Sequence, residues 1–193
     1  MEQTDGKSTE KGGSRRDRIV VAALEVIRLR GVDGLTHRAV ASQAETSLGL
    51  TTYYFAGIEE ILEAAFDLAM QRDVTFLTAW ADSLGEGADL VEALTDLVYK
   101  LGERESESVY VNFVLVLAAV HRPHLQTKAH AWANSLTHIM ERCLSPEAAA
   151  SVATVYDGTL LRQAISGNLG RRHDVEAGFR RACADESVWH VIG

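Results

Sequence analysis

From Ile19 onward the apolar positions recur with a helical period. Ile19, Ala22, Ala23, Val26 and Ile27 fall at i, i+3, i+4, i+7 and i+8, one stripe of a single helix. Ser14 with Asp17 three residues on reads as the capped start of that helix. Gly31, after Arg28 and Arg30, reads as its stop. Thr36 then caps a short helix, HRAVASQA, with Leu35 and Val40 spaced as a hydrophobic staple. A break at Glu45 to Ser47 leads into a second short segment from Leu48 to Tyr54, and a long helix begins at about Ile58 and runs to about Trp80.

The remainder carries the same period. Asp89 with Glu92 starts a helix that places Leu90, Leu94, Leu97 and Leu101 together. Residues 107–120 are almost wholly apolar, which predicts a buried helix. Pro123 opens a helix with Leu125, Ala129, Trp132, Leu136, Ile139 and Cys143 on one side. Ser145-Pro146-Glu147 starts another that runs to Gly167, and a last one covers about Asp174 to Ala184. No stretch alternates with period two between turn residues, and no repeat or Gly-rich phosphate loop occurs. The expected fold class is all-α.

Composition adds little to this and charge adds more. The 193 residues are 47% hydrophobic and 24% charged, enough to bury a core. Two cysteines, Cys143 and Cys183, lack metal-ligand spacing, and with a polar N-terminal segment they suggest a reducing, cytoplasmic setting. The longest apolar run, Val109 to Val120, contains Asn112 and is too short to span a bilayer, so no membrane is expected. His121, His124, His130 and His138 have neither nearby cysteines nor clustered carboxylates, and Pro123 breaks their common face; no metal or cofactor is expected. Net charge is −8, which taken alone opposes nucleic acid. Residues 1–57, however, hold eight Lys and Arg against seven Asp and Glu, and the rest hold eleven against twenty. Contact with phosphate is local, so a basic end on an acidic body is compatible with DNA.

The stretch SLGLTTYYF, Ser47 to Phe55, has more hydroxyls and aromatics than a good helix former. Two short helices joined by a tight break behind a longer helix make a helix-turn-helix, in which the second short helix enters the major groove. Gly49 permits close approach, Thr52 and Tyr53 offer hydroxyls, and Tyr54 and Phe55 anchor the segment. The bland alternative is a helix-to-helix corner filled with aromatics.

Residues 15–66 resemble the DNA-binding domain of the TetR family of transcriptional repressors. GVDGLTHRAVASQAETSLGLTTYYFAGIEEIL agrees with the family pattern at Leu35, Thr36, Val40, Ala41, Ala44, Ser47, Gly49, Thr51, Tyr54 and Phe55. Two positions depart: Glu45 stands where glycine is usual, and Ile58 where lysine is usual. The resemblance implies that Thr36 and His37 touch phosphate and that Arg38 reaches a base edge or phosphate. It implies that Ser47, Leu48, Gly49, Thr52, Tyr53 and Tyr54 face the groove and backbone, with Arg15 and Arg16 adding phosphate contacts from the basic end.

Residues 1–13, rich in Gly, Ser, Thr, Lys and Glu with nothing to bury, read as a disordered basic arm. The resemblance implies a helix-turn-helix at 14–57 and a helical effector-binding and dimerisation domain at 58–193. Candidates for the effector pocket are Trp80, Tyr99, Tyr110 and Asn112, with Phe113, Trp132 and His138; apolar walls with few polar groups suit a hydrophobic organic effector. Candidates for a homodimer interface are Val152, Val155, Tyr156, Thr159, Leu160 and Gln163, with Phe179. The implied function is a repressor released from a palindromic operator by a small molecule. Two alternatives stay open. A helical enzyme finds no nucleophile or paired-carboxylate motif in its support. A dimeric adaptor or ligand-binding protein that has lost operator binding is made conceivable by Glu45 and Ile58.

Overall fold

The computed structural model describes residues 6–183. Ten α-helices and one 3₁₀ turn account for the ordered elements, and no β-strand occurs among the described residues. The chain divides into two compact units, 1–70 and 71–193.

In the first unit, α1 (Gly6–Arg30) carries the predicted stripe: Ile19, Ala22, Ala23, Val26 and Ile27 are all buried. It begins earlier than its capping signal suggests. Ser14 lies inside the helix, and residues 6–13, expected in a disordered arm, belong to α1, while residues 1–5 lie outside the described residues. A serine favours a helix start but does not break a helix, and no proline stands upstream to do so. Gly31, at φ 68, ends α1. After a 3₁₀ turn at Val32–Gly34 the chain folds back closely; a Cβ on Gly34 would stand 2.4 Å from Cβ of Arg30.

Next, α2 (His37–Gln43) is capped by Thr36, whose hydroxyl oxygen accepts from the N–H of Ala39 at 3.1 Å. Its end has the bonding of a Schellman motif: Thr46 N–H reaches Ala41 O at 2.9 Å and Glu45 N–H reaches Ser42 O at 3.3 Å. That motif puts one residue in the left-handed region, and Glu45 takes it at φ 50, the one non-glycine to do so among the described residues. An L-residue is strained there by roughly 1–2 kcal/mol. Glu45→Gly should therefore raise stability by about 0.5–1 kcal/mol once glycine's extra chain entropy is counted. A urea midpoint that is unchanged or lowered would contradict this.

α3 (Leu48–Tyr54) is capped by Ser47, which accepts from Leu50 N–H at 3.2 Å. Phe55, at its end, is buried together with Ile61, Leu62, Ala65 and Phe66 of α4 (Ile58–Asp82).

The second unit is built on α5 (Leu90–Arg104), α6 (Ser106–Ala119), α7 (Pro123–Ala133), α8 (Ser135–Met140), α9 (Pro146–Ser166) and α10 (Arg172–Cys183). Asp89 and Ser145 cap α5 and α9 as their sequences suggest, and Gly167 ends α9 at φ 66. Leu90, Leu94, Leu97 and Leu101 of α5 share a core with α9, α10 and the last part of α4, and both cysteines lie buried in it. Gly102 brings Leu169 against α5; a Cβ there would stand 2.8 Å from Leu169. Two expectations change here. The apolar run of α6 is not buried all round, because Leu117 is 63% exposed and Tyr110 and Val120 are also exposed. The helix expected from Pro123 through Cys143 is two helices, since the chain turns at Asn134, whose amide donates to His130 O at 2.9 Å.

Candidate nucleic-acid interface and effector site

The helix-turn-helix offers a solvent-facing set from both short helices. Thr36, Arg38, Ser47, Leu48, Gly49 and Thr52 are exposed, and Tyr53 is 79% exposed. An aromatic side chain so open, on a helix whose other side holds buried Thr51, has no folding role to explain it. Tyr54 is half-buried and meets Tyr53 edge-to-face at 5.2 Å, which orients the outer ring. The Thr52 hydroxyl donates back to Gly49 O at 3.1 Å, leaving its oxygen lone pairs outward-capable.

His37 is half-buried, and its Nδ1 lies 3.4 Å from Oγ1 of Thr51. The Thr51 hydroxyl spends its proton on Leu48 O at 2.8 Å, so its oxygen faces the imidazole as an acceptor. His37 thus first ties α2 to α3. Sequence reasoning gave Thr51 no such part, because a β-branched residue in a short helix signals nothing beyond propensity. Arg15 and Arg16 are exposed, and the guanidinium of Arg16 sits 4.8 Å from the centre of the Phe55 ring. That cation–π contact holds one positive charge beside the end of α3.

In the second unit the structure joins three of the seven pocket candidates. Trp132 Nε1–H donates to Asp73 at 2.9 Å, the Asn112 amide donates to the same carboxylate at 3.3 Å, and the Phe113 ring meets Trp132 edge-to-face at 6.5 Å. The other four lie elsewhere. Tyr99 donates to Gly170 O at 2.9 Å beneath the Arg172 guanidinium, itself paired with Asp96. Tyr110 and His138 are exposed, and Trp80 packs on the leucine core.

Burial pushes the Asp73 carboxyl up to about 6, only partly opposed by the Trp132 hydrogen bond. Asp157 is likewise raised to about 6, by burial first and by the charge of Asp73 second. Neither aspartate was singled out from the sequence. A signal existed: Asp73 stands four residues after buried Ala69 and four before buried Leu77, and Asp157 stands four after buried Ala153 and three before buried Leu160. A carboxylate in a core stripe is the informative exception to the pattern.

The interface candidates need correcting. Val152, Tyr156, Leu160 and Phe179 are buried within this chain's own core and are unavailable to a second copy. Val155, Thr159 and Gln163 are half-buried; Thr159 donates to Val155 O at 2.7 Å and Gln163 to Gly102 O at 2.8 Å. Because α9 is apolar on more than one side, periodicity selected the inward side. Its outward side carries Thr154, Gly158, Leu161 and Ile165, with Ile165 78% exposed.

Two short reader helices supported by α1 and the start of α4, followed by a separate helical unit, define a helix-turn-helix transcriptional regulator. Residues 19–65 match the family model for bacterial regulatory proteins of the tetR family, and residues 85–185 match that for the tetracyclin repressor-like C-terminal domain. The chain belongs to the TetR family. It is 28% identical over 160 residues to an HTH-type transcriptional regulator encoded in the dhlA 5′ region of Xanthobacter autotrophicus, covering 81% of this chain and 79% of that one. It is 26% identical over 110 residues, 57% of each chain, to the nicotine-responsive transcriptional repressor HdnoR of Paenarthrobacter nicotinovorans. Among solved structures, the multidrug binding protein EbrR complexed with ethidium superposes with a TM-score of 0.75 at 27% identity, over 88% of this chain and 98% of that one. Among the described residues no helix is long and apolar enough to cross a membrane.

Proposed function

We propose that this regulator is a homodimeric repressor that leaves a palindromic operator when a small organic molecule enters its second unit. The observation that carries the DNA half is the open face of α3, with Tyr53 almost fully exposed beside Arg38, Thr36 and Thr52. The effector half is supported by relatives: HdnoR is nicotine-responsive and EbrR is complexed with ethidium. The adaptor reading loses half its motive, because Glu45 keeps the turn that glycine would make.

The test is selection from random DNA, followed by titration at several salt concentrations. Arg38→Ala should cost about 1–3 kcal/mol on the selected site and relax preference at one position per half-site. Tyr53→Phe should weaken every sequence alike if its hydroxyl meets phosphate. No enriched sequence for the wild type would defeat the proposal.

The second copy is expected on the outward side of α9, where Leu161 and Ile165 continue a line from Thr154 past the uncovered Gly158. Ile165→Glu should shift the protein towards monomer without affecting its fold, since the side chain is open in a single copy. Light scattering that still finds a dimer would move the interface elsewhere.

A further inference from the structure

The geometry points to a site for a lipophilic organic cation among α4, α6, α7 and α9, with Asp73 and Asp157 as its counter-charge and Trp132 and Phe113 as its aromatic wall. It rests on the reading of the second unit as the effector-binding half of the regulator, and it adds the chemical class of the effector.

Two carboxylates there have no cation to pair with among the described residues. Asp73 takes hydrogen bonds from two neutral donors, Trp132 and Asn112, and has no cationic partner among the described residues. Asp157, half-buried and within the field of Asp73, makes no hydrogen bond or ion pair among the described residues. Tyr156 is 6% exposed and lies in the field of both carboxylates. Buried polar groups in native proteins are nearly always satisfied, and buried carboxylates are nearly always paired with a cation. Two carboxylates without a cation, on two helices and beside a fixed aromatic pair, face a partner that arrives from outside.

The chemistry of the wall selects the class. Trp132 is tied through its indole N–H to Asp73 and meets Phe113 at right angles, so rings and carboxylate form one fixed group. Aromatic faces attract cations, most strongly where water is excluded. An anion would meet two like charges. A hard divalent ion prefers six or more oxygen ligands, and aromatic walls supply none. An organic cation satisfies the carboxylates by charge and the rings by contact.

The experiment uses the full chain and two probes of nearly equal shape, phenyltrimethylammonium and tert-butylbenzene, which differ in one charge. Calorimetry or displacement of bound ethidium should show the wild type favouring the cation by at least about tenfold. Asp157→Asn and Asp73→Asn, checked for folding by thermal melting, should shrink that preference to within about threefold. Equal affinity of the wild type for both probes overturns the site, and so does a preference surviving in the Asp73→Asn/Asp157→Asn double variant. Binding of wild type to its own promoter fragment is measured in parallel. Loss of DNA binding with the cation preference intact removes the regulator reading and leaves the site. DNA binding without the preference removes the site alone.

Discussion

Stability should fall as pH rises from about 4 to just above 6, against the usual trend for acidic proteins. Asp73 and Asp157 each move from an ordinary 3.8 to about 6 in the folded chain. Between those values the unfolded chain has lost these protons while the native state still holds them. Unfolding therefore becomes easier with increasing pH across that window, and flat above it. One such shift corresponds to about 3 kcal/mol, and the loss for the coupled pair is on the order of that value or somewhat more. The groups facing the pair are Trp132 from α7, Asn112 from α6 and Tyr156 from α9; burial holds the Tyr156 phenol well above its usual range, so none of the three titrates near pH 5. Glu25 and Asp174, held down by Arg28 and Arg171 respectively, act in the opposite sense, but only below about pH 4.5, at or under the low edge of the comparison. Urea midpoints at pH 4.5 and 7.0 check this. Asp157→Asn should flatten the slope and raise the midpoint at pH 7.0; a wild type more stable at 7.0 than at 4.5 refutes it. Stability given up at a binding position is the usual trade at such sites.

Phe55→Ala should cost about 3–5 kcal/mol, the usual range for deleting a fully buried ring. Phe55 is 2% exposed and closes α3, and it also carries the Arg16 guanidinium on its face. The first unit should melt at a lower temperature, and DNA affinity should fall even where folding is restored by osmolyte, because Arg16 has lost its platform. Phe55→Leu separates the two effects: it keeps most of the buried volume and should cost less than about 1.5 kcal/mol, yet it removes the ring. If Phe55→Leu binds DNA as tightly as wild type, Arg16 needs no platform.

Local chemistry made the first unit readable from sequence. Thr36 there, and Asp89 and Ser145 in the second unit, each cap the helix they precede, because capping depends on a few neighbouring residues. Ser14 misled because a cap preference has no force against a helix that is already running. The effector candidates divided by a long-range fact: Asn112, Phe113 and Trp132 meet only because Asp73, 39 and 59 residues away from Asn112 and Trp132, stands between them. Tyr99 and His138 have the same chemistry and the wrong side of their helices. Periodicity marks that a helix such as α9 is apolar, but not which side meets its own core, and Leu160 and Leu161 divide on that point.

The placement of the two cysteines has a use. Cys143 and Cys183 both lie in the leucine core of the second unit, and the first unit contains no cysteine. A thiol reagent can reach them only when that core opens, so the rate of modification is a clock for opening of one half of the molecule alone. A bound molecule that steadies the second unit slows this clock, and the reader helices neither contribute to the signal nor confuse it. The chain thus carries its own built-in reporter, confined to the second unit.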